Sequence, residues 1–161
     1  MPVFARDILK VDASGYGSLM AAAGVGALMG AIGLAALGQY GPKGRLLTAG
    51  NLLFPATLLA FSLSRWYPLS LLILVAVGWS MVTQNATTNT LLQTTVPDHL
   101  RGRVMSVYIL MFQGMMPFGS LQAGAVANAV GAPSALCLGA IIAAGYALLV
   151  FWRRPQVRRL Q

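Results

Sequence analysis

Acidic residues are nearly missing from this chain: three among 161, against eleven Lys and Arg. They are Asp7, Asp12 and Asp98, and all lie outside the long apolar runs. This excludes paired-carboxylate catalysis and any proton relay built on carboxylates inside those runs. One histidine and one cysteine leave no metal-ligand cluster and no internal disulfide. Cys137 reads as a small apolar packing residue, and His99 as a solvated loop residue. There is no phosphate-binding Gly-x-x-x-x-Gly-Lys-Ser/Thr and no Ser–His–Asp arrangement. No catalytic residue, metal or cofactor is expected.

Long uncharged stretches fill the chain instead. None of Ala13–Pro42, Leu46–Ser64, Trp66–Pro97 and Val104–Trp152 contains an Asp, Glu, Lys or Arg. A bilayer core about 30 Å thick is crossed by roughly 20 apolar residues of helix, so the last block holds two crossings. The turn between them is Gly131-Ala132-Pro133. Hydrophobic residues make up 57% of the chain and charged ones 9%, too few to give a water-soluble fold a polar surface. Most segments are apolar all round rather than striped, which makes lipid their solvent. The expected fold is an all-α integral membrane bundle of about five transmembrane helices, at Gly15–Leu37, Leu46–Ser64, Leu69–Leu92, Val104–Asn128 and Pro133–Trp152.

The net charge of +8 invites a nucleic-acid reading, but the cations are scattered over loops and not gathered on one face. They orient the chain instead. Five crossings place Lys43, Arg45, Arg101, Arg103, Arg153, Arg154, Arg158 and Arg159 on one side, and Arg6, Lys10 and Arg65 on the other. By the positive-inside rule the C-terminus is cytoplasmic and the N-terminus outside, with residues 153–161 a basic cytoplasmic tail. The opening Met-Pro-Val-Phe-Ala-Arg-Asp-Ile-Leu has neither the basic start nor the apolar stretch of a secretory signal. An outside N-terminus without an export signal suggests a helix upstream. Residues 1–14 are then expected to be the outer end of that helix and an external loop, in the C-terminal part of a longer protein.

Several motifs stand out within the spans. Gly26 and Gly30 are four apart in a small-residue helix, a spacing that admits close approach of another helix. That is a packing seam, or a sliding seam in a helix pair that moves. From Ser80 the third span turns polar, and at 100° per residue Asn85, Asn89 and Gln93 share one face while Thr83, Thr87, Thr90 and Thr94 form another. Hydroxyls satisfy carbonyls of their own helix readily. Amides do so less easily, and an unpaired group in lipid costs several kcal/mol. The amide stripe therefore faces other helices or a water-filled path for a polar solute. In the fourth span Gln113 adds a further amide. Pro117, with Gly119 beside it, predicts a kink, and Pro55 is a milder case in the second. Between the third and fourth spans, Pro97 ends one helix and Asp98 is placed to cap the next, with Arg101 and Arg103 in its first turn holding the cytoplasmic loop.

Taken together, Val-Pro-Asp-His-Leu-Arg-Gly-Arg-Val-Met-Ser at 96–106 and Gln-Gly-Met-Met-Pro-Phe-Gly-Ser-Leu-Gln-Ala-Gly at 113–124 resemble the C-terminal half of a bacterial major facilitator superfamily transporter. The drug and siderophore exporter branch that includes the enterobactin exporter is the nearest in appearance. Pro-Val-Phe-Ala-Arg-Asp-Ile-Leu followed by Gly-Tyr-Gly looks like the end of that family's seventh helix and the start of its eighth, so the five spans correspond to helices eight to twelve. Its signature Gly-x-x-x-Asp-Arg-x-Gly-Arg is matched only at Gly44 and Arg45, with Gly41 in the place of the acid. The resemblance implies a multi-pass protein of the bacterial inner membrane. It also implies proton-driven efflux of a small amphipathic or siderophore-like solute by alternating access, with the coupling residues outside this segment. Candidate solute-cavity residues are Asn85, Asn89, Gln93 and Gln113. Gly26, Gly30, Pro117 and Gly119 shape packing and bending. The expected partners are the lipid bilayer, the solute, and a missing N-terminal half or partner chain. The alternative is a truncated, non-transporting membrane protein, or a half-transporter completed by a second chain.

Overall fold

The computed structural model describes residues 8–37 and 43–153, with side chains from 8–36 and 48–153. Five helices follow one another: α1 (Ala13–Leu37), α2 (Lys43–Leu63), α3 (Tyr67–Thr95), α4 (Asp98–Val130) and α5 (Ala132–Arg153). No strand occurs among the described residues. The protein is all-α and built for a membrane. Four of the helices are long and apolar enough to cross a bilayer, while the apolar part of α2 is the shorter stretch Thr48–Leu63. α2, α4 and α5 each run past their uncharged block at one end, to Lys43, Asp98 and Arg153, because a charge at a helix end leaves the backbone hydrogen bonds intact.

Three connections have three residues or fewer: 64–66, 96–97 and Gly131. Gly131 alone joins α4 to α5. Its φ of +87° is open to glycine and strained for other residues. Its N–H still donates to the Ala127 carbonyl at 2.9 Å. Between α2 and α3 the buried hydroxyls of Ser64 and Ser70 lie 2.8 Å apart and bond to each other.

α3 is the axle of the bundle. It packs along α1 and α2 and touches α4 only lightly; α2 also packs on α5, and α5 on α4. The apolar core gathers Leu9, Leu19, Phe61, Leu74 and Val77, from the segment leading into α1, the start of α1, the end of α2 and the first half of α3. The second half of α3, where the polar run begins, lies beyond this core.

The contact between α1 and α3 is backbone on backbone. A Cβ on Gly26 would overlap the Val75 carbonyl, and one on Gly78 the Ala23 carbonyl. At Gly30 it would lie 2.9 Å from the Trp79 carbonyl oxygen. In lipid, where apolar surface alone drives little association, such close approach supplies the many small contacts that hold helices together.

α4 is the opposite case, with no buried residue along its whole length. It continues as one helix through Pro117. A Cβ at Gly119 would meet nothing within 4 Å, so that glycine makes no close approach to another helix.

Its first turn corrects the expectation at Asp98. The N-cap is Pro97, whose carbonyl accepts from Leu100 N at 2.9 Å and Arg101 N at 3.1 Å. Asp98 is already helical and pairs through its carboxylate with Arg101, one turn on, in exposed surroundings. Proline supplies a carbonyl but no side-chain acceptor, so the helix starts one residue early and the carboxylate turns to the nearest guanidinium.

Candidate functional site

The amide face of α3 and the first half of α4 enclose a groove of about 510 Å³. Asn85, Asn89 and Thr90 form one wall; Tyr108, Phe112 and Gln113 form the other. The helical period dictates this: residues 85 and 89 of α3 are one turn apart, as are 108 and 112 of α4. Tyr108 and Phe112 stack with ring centroids 6.1 Å apart, which stiffens the α4 wall.

The structure thus brings together three of the four amides singled out in the sequence. The fourth, Gln93, is exposed one turn beyond and donates to Asn89 Oδ1. Asn85 departs from the expectation that amides do not satisfy their own helix. Its Nδ2 donates to the Met81 carbonyl at 2.9 Å, because the short side chain reaches back one turn. That bond leaves Oδ1 of Asn85 as an acceptor on the groove. Pro117 has no N–H for the Gln113 carbonyl, its normal partner four residues back, so α4 adds a main-chain acceptor at the same level.

The threonines divide. Thr88 donates to the Gln84 carbonyl at 2.8 Å and Thr94 to the Thr90 carbonyl at 3.0 Å, as hydroxyls in a helix do. Thr83 and Thr87 are 3% and 1% exposed, and their hydroxyls have no hydrogen-bond partner among the described residues.

Two residues escaped the sequence reading. Asn51 of α2 accepts from Gln84 Nε2 of α3, tying the two helices together. Gln84 lies in the polar run but off the Asn85–Asn89–Gln93 face, so it drew no separate notice. Asn51 is the single amide of its apolar stretch. A lone amide in a span needs a partner, and that signal was available. Gly50 allows the approach: a Cβ there would sit 3.3 Å from Gln84 Cβ.

The groove contains amides, hydroxyls and aromatic rings, and no acidic or basic side chain lines it. Among the described residues, no group of three or more His, Cys, Asp or Glu side chains is placed to hold a metal. The arrangement can hydrogen-bond a polar, uncharged molecule.

Residues 1–160 match the profile of the transmembrane secretion effector family of the major facilitator superfamily. The chain belongs to this family. No curated protein and no solved structure matches it. Family membership makes it a multi-pass membrane transporter, in agreement with its apolar helices.

Proposed function

We propose that this protein exports a small amphipathic or siderophore-like solute across the bacterial inner membrane by alternating access, with the α3–α4 groove as part of the solute path. The observation that carries the reading is the convergence of Asn85, Asn89 and Gln113 on one groove between two apolar helices. A membrane anchor has no use for three amides there, since each must be desolvated and then satisfied. The loop cations support a cytoplasmic C-terminus and an outside N-terminus. With no acidic, basic or histidine side chain lining the groove, proton coupling falls to residues elsewhere in the transporter.

The test is efflux from cells expressing the full transporter, loaded with a fluorescent amphiphile. Asn89→Leu and Gln113→Leu are each expected to slow efflux at least tenfold at unchanged membrane abundance. Wild-type rates in both would remove the groove from the path.

A second reading is favoured by one observation. α4 has no buried residue, and the described helices wall the groove on two sides. Further helices, in this chain or in a partner, would complete the wall. Disulfide trapping from a cysteine at Met116 tests this: capture by another multi-span protein supports a partner chain, and capture only within the same polypeptide opposes it.

A further inference from the structure

Behind the groove lies a second pocket of about 530 Å³, between α2, α3, α4 and α5. Asn85 and Phe112 line both spaces, so one residue from each of two helices separates them. The Asn51–Gln84 pair lines the second pocket, and half-exposed Met81 and Phe112 and the more exposed Tyr146 lie around it. Its volume is that of a site for a drug-sized molecule, which runs from about 300 to 1,000 Å³.

The hydrogen bond between the pair uses one amide donor and one amide acceptor. Each side chain keeps capacity: one amide retains its carbonyl oxygen and the other its NH₂ group. Pro55, which also lines the pocket, has no N–H for the Asn51 main-chain carbonyl, so a further acceptor loses its usual partner there. Donors and acceptors are thus both on offer within a mainly apolar surround. No Asp, Glu, Lys, Arg or His side chain lines the space. A charged ligand entering it would shed water and meet no counter-charge, whereas an uncharged one would lose little.

We infer that this pocket binds an uncharged amphiphile, a molecule with an apolar body and one amide, carbonyl or hydroxyl group, held by Asn51 and Gln84. Its role as a holding site beside the solute path rests on the transport reading; its existence as a binding site does not.

The experiment uses three photoreactive probes with one aryl-diazirine body and a carboxamide, a carboxylate or an ammonium head. Each is applied to membrane vesicles containing the full transporter, and labelled residues are mapped by mass spectrometry. Labelling at Trp152, which is 83% exposed and lies outside the pocket, corrects for membrane partitioning. The carboxamide should label Phe112 and Tyr146 about tenfold more than either charged probe, relative to Trp152. Asn51→Leu combined with Gln84→Leu should remove about tenfold of that labelling, the effect of one to two lost hydrogen bonds. Met81→Trp fills the pocket from its rim, leaves both amides in place and should reduce labelling similarly. Equal labelling by all three heads, or full labelling in Met81→Trp, overturns the inference. Selective labelling together with normal efflux in Asn89→Leu and Gln113→Leu upholds the pocket and removes the groove from the solute path. Absent labelling together with impaired efflux in those variants does the reverse.

Discussion

α3 shows two different surfaces to its neighbours. Toward α1 it offers Val75, Gly78 and Trp79 to a glycine face, and the two backbones meet with no side chain between them. Toward α4 it offers Asn85 and Asn89, and a groove remains. Both surfaces lie on one continuous helix of 29 residues. The closed side is made by residues that lack a side chain; the open side by residues whose side chains need partners. In a membrane, then, closure is set by residue size and openness by polarity, while overall apolarity separates neither. α5 illustrates the point: it is the most apolar of the four long spans and buries almost nothing, whereas the less apolar α3 is the most buried.

The largest expected effect breaks the closed side. Gly26→Leu or Gly78→Leu drives a side chain into a main-chain carbonyl that cannot move without shifting its helix. Overpacking of this kind costs about 3 kcal/mol or more. The measurement is unfolding in mixed micelles, with Gly33→Leu as the control, since a Cβ there meets nothing within 4 Å. Equal stability of all three variants would show that α1 and α3 do not meet as described.

The second prediction addresses the open side. Asn85→Leu removes an amide that bonds only its own helix carbonyl, so stability should change by less than about 1 kcal/mol. Efflux should nevertheless fall at least tenfold, by the groove reading. Lost stability with proportionate loss of efflux would make Asn85 a packing residue and reduce the contrast between the two sides.

How much of this contrast the sequence revealed depends on the physics of each side. Gly26 and Gly30 were legible because a four-residue glycine spacing has one geometric consequence, close approach. The partner surface was not, since Gly78 stands alone in its stretch and nothing in the sequence pairs it with Ala23. The amide face was legible from the helical period, which places Asn85 and Asn89 together in any α-helix. That Gln113 would face them depended on how α4 lies beside α3, which is a tertiary fact. The Asn51–Gln84 tie was half legible: each amide announced a need, and only packing identified the partner. Asp98 misled because the sequence offers a capping carboxylate without showing that Pro97 already starts the helix.

A third prediction sharpens the comparison at Thr83 and Thr87. These buried hydroxyls are polar groups on a tightly packed part of α3, and among the described residues no bond recovers their desolvation. Valine has nearly the same shape and no hydroxyl. Thr83→Val combined with Thr87→Val should leave the protein as stable as wild type, or more stable by about 1 kcal/mol. A loss of stability beyond that would mean the hydroxyls have a partner, such as a bound water, and that this part of the helix is wetter than it looks.

The smallest effect lies at the start of α1, where the closed side begins. Asp12 is the true cap there: its carbonyl accepts from Tyr16 N at 3.0 Å, and its Oδ1 from Gly15 N at 2.9 Å and Ser14 Oγ at 2.7 Å. The Gly15 N–H, and after it the Ser14 hydroxyl, hold this exposed carboxyl below its ordinary value of 3.8. A depressed folded value means that the cap stabilises α1 fully above the ordinary carboxylate range. Its contribution fades only as pH drops below about 3.8 and through the lower folded value. The Gly15 amide shift, followed by NMR from pH 6 downward, should hold steady through the ordinary carboxylate range and move only below it. In Asp12→Asn, which accepts the same bond without titrating, it should stay flat. A titration at the ordinary carboxylate value, or the same movement in Asp12→Asn, would show that the carboxylate does not cap α1. The seam would then rest on the glycine contacts without help from its end.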